Sequence, residues 1–200
     1  MDKNDISWES IYAKTSGRPP RELLVEVIKR FGQNALENPY KAIDLGSGDG
    51  TETAFLLAQG WHVLAIDSEP AAFESLNSKI PLEGQGRLQT QRASFETLEL
   101  STVDLIYAGY SAPFCHPRHF DTLWNTIVNC INTRGRFAGQ LFGVHDTWAT
   151  NTDMTFFTRE QAGNLFSTFE IEHFYEEDEE GDSNIGPKHW HVFHVIARKK

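Results

Sequence analysis

The sequence is poor in cysteine and has no long apolar run. Its 200 residues include two cysteines, Cys115 and Cys130, whose spacing matches neither a CxxC metal motif nor a disulfide framework. A reducing compartment is therefore expected, and we predict the cytoplasm. No apolar run approaches the roughly 18 residues that a membrane span requires. Residues 1–8 also lack the apolar core of a secretion signal, so we expect no membrane contact.

Basic residues are also few. The chain has 18 Lys and Arg against 28 Asp and Glu, which gives a formal net charge of −10. Because nucleic-acid binding depends on basic surface that releases counterions, a nucleic-acid partner is not expected. Hydrophobic residues make up 40% and aromatic residues 12% of the chain, enough for a globular core. We expect a single domain over residues 1–200, as a monomer or homodimer.

A glycine-rich stretch near residue 46 organises the rest of the chain. An apolar run over residues 42–45 predicts a buried strand, which leads directly into Gly46, Gly48 and Gly50. Residues 53–59 predict the helix that follows. A strand, a glycine turn and a helix start let the backbone and its N–H groups approach a ligand closely. Glycine turns also serve tight packing alone, so the stretch needs support from its surroundings.

Asp67 supplies that support. A second apolar run, residues 61–66, predicts a strand that ends at Asp67, about 20 positions after the glycines. In nucleotide-binding α/β units, an acidic residue at this place binds a ribose diol, since a carboxylate accepts two hydrogen bonds. The alternative is that Asp67 only caps the helix that begins near Glu69 and Pro70.

Residues 44–50, Asp-Leu-Gly-Ser-Gly-Asp-Gly, resemble the first motif of the class I S-adenosylmethionine-dependent methyltransferases. Asp44 before the glycines is typical of that motif. NAD-dependent enzymes usually carry GxGxxG, whereas here the third glycine comes early and Thr51 follows it. Residues 109–115 and 188–198 resemble small bacterial methyltransferases related to the tellurite-resistance type. The resemblance covers most of the chain and concerns the cofactor more than the acceptor.

The resemblance implies the fold and the cofactor. It implies a three-layer α/β domain with a Rossmann-like sheet of about seven strands, mostly parallel with an antiparallel last strand. The implied strand order is 3-2-1-4-5-7-6. The cofactor would be S-adenosylmethionine. Residues 1–33 would form a helical lid region over the cofactor cleft, with Trp8 and Tyr12 as substrate-lid candidates. The alternative is that these two aromatics pack on the sheet edge.

The implied cofactor-binding residues come from several segments of the chain. They are Asp44, Gly46, Ser47, Gly48, Asp67, Ser68, Ser94, Phe95, Tyr107 and Arg18. Within this set, Arg18 would meet the methionyl carboxylate, Ser94 the exocyclic amine of adenine, and the Phe95 backbone the adenine ring. The alternatives are a solvated loop arginine, a loop serine and a core phenylalanine.

We predict an enzyme that transfers a methyl group from S-adenosylmethionine to a nucleophilic atom of a small-molecule acceptor. The Asn/Asp-Pro-Pro-Tyr/Phe signature of enzymes that methylate DNA bases is absent after residue 107, which favours a small acceptor. Placement of the acceptor can account for much of the acceleration without a base. Tyr110 and His116 are the candidates for orienting or deprotonating it. The alternatives are a cofactor-binding protein without turnover and an NAD-type oxidoreductase.

No metal site is expected. His189 and His191 share one face of a predicted strand while His194 takes the other, so too few ligands converge for zinc. The acidic run at residues 176–180 lacks the spacing of a calcium loop. We interpret that run as a solvated hairpin loop.

Overall fold

The computed structural model describes residues 8–15, 17–32, 39–80, 82–183 and 186–200. The predicted lid region, residues 1–33, therefore lies partly outside the described residues. The helices of the described part are α1 (Trp8–Thr15), α2 (Glu22–Lys29), α3 (Thr51–Ala58), α4 (Pro70–Lys79), α5 (Leu82–Gln85), α6 (Pro117–Cys130) and α7 (Arg159–Asn164).

The strands form one sheet. They are β1 (Lys41–Leu45), β2 (His62–Asp67), β3 (Leu88–Arg92), β4 (Val103–Ala108), β5 (Ile131–Gly143), β6 (Phe156–Phe157), β7 (Phe169–Ser183) and β8 (Gly186–Lys199). The order is β3-β2-β1-β4-β5-β8-β7, and the two-residue β6 pairs with β5. Strands β1 to β5 pair in parallel, and β8 is antiparallel to β5 and β7. The predicted sheet and order are confirmed; only the short β6 is additional.

Helices cover both faces of the sheet and give the three predicted layers. α2, α3 and α4 pack on one face, where the core contains Leu24. α6 and α7 pack on the other, where Phe120 and Ala162 belong to a second core. Neighbouring residues of β1 alternate between the cores, with Ala42 in the first and Ile43 in the second. A strand buried on both faces requires apolar residues on both, which explains Ala42, Ile43 and Leu45 in β1; Asp44 is a buried polar exception.

The β7–β8 hairpin corrects one prediction. The acidic run at residues 176–180 lies within β7, paired with β8 along its length, and is not a hairpin loop. Carboxylates of β7 contact histidines of β8 across the pair: Glu176 with His191 at 3.0 Å, Glu177 with His194 at 2.9 Å and Asp178 with His189 at 2.6 Å. These cross-strand partners offset the repulsion that the run would otherwise suffer, so it remains a strand.

No helix in the described ranges is both long and apolar enough to cross a bilayer.

Two glycines with positive φ differ in how closely other atoms approach them. Gly50, which precedes α3, has φ of 80° and faces α4: a Cβ there would lie 2.9 Å from the Cα of Leu76. Gly60 has a similar φ of 87°, but a Cβ there meets no described atom within 4 Å. A substitution of Gly60 therefore introduces backbone strain alone, whereas a substitution of Gly50 adds steric overlap with α4.

We expect Gly60→Ala to lower the free energy of unfolding by about 1–2 kcal/mol, the cost of a left-handed L-residue. Gly50→Ala carries that cost plus roughly 1–3 kcal/mol for overpacking between α3 and α4. Urea unfolding of the two variants beside the parent protein measures both values. Equal losses in the two variants would show that α3 and α4 do not require the close approach.

Candidate active site

A cavity of about 310 Å³ lies at the carboxyl ends of β1, β2 and β4. In open α/β sheets, ligands bind at this edge of the sheet. Residues 46–49, 67–69, 93–96 and 107–111 contribute to its wall, and α1 lies along it. Segments that are far apart in the sequence thus meet around a single space.

The glycine loop is held against the end of β2. The N–H groups of Gly46 and Ser47 donate to the carbonyl of Ile66 at 2.8 and 2.9 Å. Gly46 has φ of 75°, and a Cβ there would lie 2.4 Å from the Cβ of Ser111, so only glycine fits. Gly48 has φ of 53° and faces the ring of Tyr12. The loop therefore presents bare backbone to the cavity.

Asp67 joins three segments at the rim. Its carboxylate accepts hydrogen bonds from Gly48 N at 2.8 Å, Glu69 N at 3.0 Å and the Tyr12 hydroxyl at 3.4 Å. Burial raises the pKa of Asp67 above its usual value. The N-cap residue of α4 is Glu69, not Asp67, so the carboxylate does not bond the first helical N–H groups. Capping of α4 thus does not account for its position.

A buried ion-pair cluster fixes the segment between α1 and α2. Glu52, in the first turn of α3, accepts two hydrogen bonds from Arg18 at 2.6 and 2.5 Å and one from Arg21 at 3.0 Å. Burial raises the pKa of Glu52, but the Arg18 hydrogen bonds and both guanidinium charges outweigh burial and hold that pKa below its usual value. Arg18 is therefore paired rather than solvated, and the segment before α2 is tied to α3.

Asp44 is the most perturbed carboxyl group of the cavity. It is 2% exposed and accepts a hydrogen bond from the Thr53 hydroxyl at 2.6 Å. Burial, with a further contribution from the nearby charge of Glu52, raises the pKa of Asp44 to about 7. Asp44 thus carries a proton over much of the acidic and neutral range.

Several buried polar atoms of cavity-lining residues have no hydrogen-bond partner among the described residues. They are Ser47 Oγ, Tyr107 Oη and Arg18 Nε. An unpaired buried polar group costs roughly 1–3 kcal/mol, and proteins retain such groups mainly where a ligand or water satisfies them. Two of these donors, Ser47 and Tyr107, stand beside the glycine loop, so the residues present fit a polar ligand there.

The far end of the cavity is aromatic. Trp8 packs edge-to-face on Phe114 at 4.9 Å between ring centroids, and Tyr110 lies 6.0 Å from Trp190. Tyr110 has φ of 58°, a left-handed conformation that turns the chain after β4. Burial raises the pKa of the Tyr110 hydroxyl to about 12, so it remains a hydrogen-bond donor at neutral pH.

Comparison with known proteins finds one family model that matches part of the chain. Residues 42–135, which include the glycine loop, Asp67 and β4, match the family model described as methyltransferase domain. This stretch is therefore similar to methyltransferase domains. No curated protein matches the chain.

Solved structures share the fold of this chain at low identity. TehB from Haemophilus influenzae is 16% identical, and the match covers 96% of this chain and 67% of TehB with a TM-score of 0.75. The 1,6-didemethyltoxoflavin-N1-methyltransferase of Burkholderia thailandensis is 21% identical, and the match covers 90% of this chain and 77% of that enzyme with a TM-score of 0.65. NodS, an N-methyltransferase from Bradyrhizobium japonicum, is 11% identical, and the match covers 93% of this chain and 90% of NodS with a TM-score of 0.67. The latter two structures contain S-adenosylhomocysteine.

The cavity gathers the residues predicted for cofactor and substrate, with one exception. Those that line it are Asp44, Gly46, Ser47, Gly48, Asp67, Ser68, Ser94, Phe95, Tyr107, Arg18, Trp8, Tyr12 and Tyr110. His116 lies elsewhere: its Nδ1 accepts from Arg118 N at 3.1 Å and caps α6. Because a helix cap occupies its ring, the structure gives no support to His116 as an acid–base group.

Sequence reasoning missed two parts of the site. Glu52 follows the glycine loop in the first turn of α3, and its position after Gly50 was the available signal. Phe142, Trp148 and Trp190 belong to β5, the loop after it and β8, and nothing local marks them as wall residues. Their place in the cavity follows from the neighbouring positions of β5 and β8 in the sheet.

The three histidines of β8, His189, His191 and His194, are bonded to carboxylates and do not line the cavity. Besides the three cross-strand contacts, His145 Nδ1 lies 3.0 Å from Asp178. Potential ligand atoms of His145, Asp178 and His191 lie within 4.8 Å of one another. His191 Nδ1 already accepts the backbone N–H of His145 at 3.0 Å. This group is the arrangement of the described residues that comes nearest to a metal centre.

We expect Asp44→Asn to change how stability depends on pH. The folded carboxyl keeps its proton up to about pH 7, whereas the unfolded one releases it near 3.8. Wild-type stability is therefore favoured by this group at low pH and declines, relative to the variant, as pH rises through that window, by roughly 1–4 kcal/mol. Urea unfolding of both cofactor-free proteins between pH 4 and 8 gives the difference. Parallel stability curves would contradict the raised pKa.

Proposed function

We propose that this chain is a class I S-adenosylmethionine-dependent methyltransferase, which holds S-adenosylmethionine along the glycine loop and methylates a small molecule in the aromatic end of the same cavity. The observation that carries the proposal is the continuity of the space: one cavity runs from Gly48 and Asp67 to Phe142 and Trp148. A donor in one half would face an acceptor in the other. The Burkholderia thailandensis structure contains a small molecule, 1,6-didemethyltoxoflavin, together with S-adenosylhomocysteine, which supports a small acceptor here.

Asp67 is the proposed ribose ligand. A carboxylate has about four acceptor positions, and backbone N–H groups of Gly48 and Glu69 occupy two of them. The third partner, the Tyr12 hydroxyl, is at 3.4 Å, a long contact that a ribose hydroxyl could replace. Tyr12 thus occupies the proposed ribose position in this structure. Its exchange for the ribose would couple α1 to cofactor binding.

The other cofactor contacts are proposed from position and unpaired atoms. Ser47 Oγ and Tyr107 Oη supply donors beside the glycine loop, and Arg18 Nε remains available for the methionyl carboxylate after Glu52 takes the terminal nitrogens. Ser68, Ser94 and Phe95 border the side toward β3, where we place the adenine. Asp44, Gly46 and Gly48 shape the turn beneath it. Residues 1–33 would form the lid region of a single domain, and the structure describes residues 8–15 and 17–32 of it.

The chemistry places few demands on this chain. S-adenosylmethionine supplies, when bound, a methyl group on a sulfonium that is already electrophilic. The side chains of the aromatic end, Trp8, Tyr110, Phe114, Phe142, Trp148 and Trp190, include no carboxylate, His, Cys or Lys, and Tyr110 stays protonated at neutral pH. These side chains therefore bind, orient and exclude water rather than remove a proton from the acceptor, and proximity supplies much of the rate enhancement.

Calorimetry of the wild-type protein tests the cofactor assignment. We expect S-adenosylhomocysteine to bind with a measurable dissociation constant and to raise the melting temperature by mass action, and NAD to do neither. Transfer of a radiolabelled methyl group to a pool of small molecules would then establish turnover. Equal binding of NAD would remove the proposal, and cofactor binding without transfer to any acceptor would leave a binding protein.

Ser47→Ala tests the position of the cofactor. If the Ser47 hydroxyl bonds the bound cofactor, its loss removes about 0.5–1.5 kcal/mol, so the affinity for S-adenosylhomocysteine should fall about 2- to 10-fold. Stability should not fall, because the hydroxyl has no partner among the described residues. Ser78→Ala is the matched control, since Ser78 bonds the Ser75 carbonyl on the exposed side of α4 and does not line the cavity. An unchanged affinity in Ser47→Ala would show that the cofactor lies elsewhere.

A further inference from the structure

The aromatic end of the cavity leaves large rings only half covered. Trp8, Tyr110, Phe114, Trp148 and Trp190 are each partly exposed and line the cavity together with buried Phe142. They come from α1, the segment after β4, β5, the loop after β5, and β8. Aromatic rings contribute most when their faces and edges are covered by other π systems. A wall of this composition is complementary to a flat, apolar molecule.

Several of these rings already carry a protein cation. Lys188 Nζ lies 3.6 Å from the ring centroid of Trp148 and 3.8 Å from that of Trp190. The Arg21 guanidinium lies 5.2 Å from the ring of Tyr110. A cation on a ring face draws the π electrons toward itself, so the ring offers less to a second cation.

Neither cation is free to hold an anion. Lys188 is buried and bonds both oxygens of buried Asp146, at 2.7 and 2.9 Å. Arg21 bonds Glu52 at 3.0 Å. An anionic acceptor would lose its hydration without gaining an unpaired positive partner. Both signs of charge are therefore disfavoured at this end of the cavity.

We propose that the acceptor is a planar, uncharged aromatic molecule that stacks among these rings. This inference rests on the proposed function, because it assigns the aromatic end of the same cavity to the acceptor. Because Lys188 and Arg21 already occupy ring faces, these rings bind a protonated amine less well than a cage of aromatic rings without protein cations would. Since the side chains of the aromatic end include no carboxylate, His, Cys or Lys, the acceptor must bring an atom that is nucleophilic at neutral pH without a protein base beside it.

Calorimetry on protein saturated with S-adenosylhomocysteine tests the proposal with three matched probes. They are 2-naphthol, which is planar and neutral; decahydro-2-naphthol, its saturated analogue; and 2-naphthylmethylamine, which is a cation at neutral pH. We expect 2-naphthol to bind at least 10-fold more tightly than either of the others. Equal binding of the saturated alcohol overturns planarity, and equal binding of the amine overturns the selection against charge.

Three variants locate the effect. Trp148→Leu should weaken 2-naphthol at least 5-fold, while Tyr175→Leu, at a 54% exposed ring on β7 that does not line the cavity, should leave it unchanged. The double variant Lys188→Met with Asp146→Leu removes both buried charges and should raise the affinity of the amine relative to 2-naphthol at least 5-fold. If the double variant fails to fold, the comparison of Trp148→Leu with Tyr175→Leu still tests the site. Equal losses of 2-naphthol affinity in these two variants would overturn the assignment of the site.

The outcomes separate this inference from the function on which it rests. Binding of S-adenosylhomocysteine without preference for 2-naphthol overturns the aromatic acceptor and leaves the methyltransferase site intact. Absence of S-adenosylhomocysteine binding overturns the proposed site and the acceptor assignment with it. A preference for 2-naphthol that Trp148→Leu abolishes supports both.

Discussion

The carboxylate of Asp67 is the interaction on which the site depends. Its bonds to Gly48 N, Glu69 N and the Tyr12 hydroxyl bring the glycine loop, the start of α4 and α1 to one point. A buried carboxylate is costly unless several donors surround it, so its position and theirs are fixed together. Burial raises its pKa while the backbone donors lower it. A charged group placed here imposes its geometry on all three segments.

Local patterns explain why much of the fold could be predicted. The strand before Gly46, the glycine turn and the strand that ends at Asp67 each lie within a dozen residues, and apolar runs indicate buried parallel strands directly. The order of the sheet came from resemblance to a family, because neighbours in a sheet are not encoded by spacing alone. The two-residue strand β6 was not predicted, because so short a strand has no periodicity in the sequence.

Non-local contacts explain the wrong prediction for the hairpin. The acidic run at residues 176–180 looks like a solvated loop until its partners are known, and those partners are histidines on β8. The role of His116 stays a prediction; the structure shows its Nδ1 capping α6, which the sequence did not indicate. The aromatic wall joins Trp8 to Trp190, nearly the whole length of the chain. The sequence does not show which of these distant aromatic residues lie close together in the folded chain, so the wall could not be predicted.

The bond between Arg18 and Glu52 has a mechanical consequence for α1. Two hydrogen bonds at 2.6 and 2.5 Å hold the residues just after α1 on the first turn of α3. The helix has 8 residues, so it is roughly 12 Å long at 1.5 Å per residue. Rotation about a hinge at Arg18 would therefore move Trp8 farther than Tyr12. The space between α1 and the rest of the cavity wall would therefore widen most over the aromatic rings and least over Asp67.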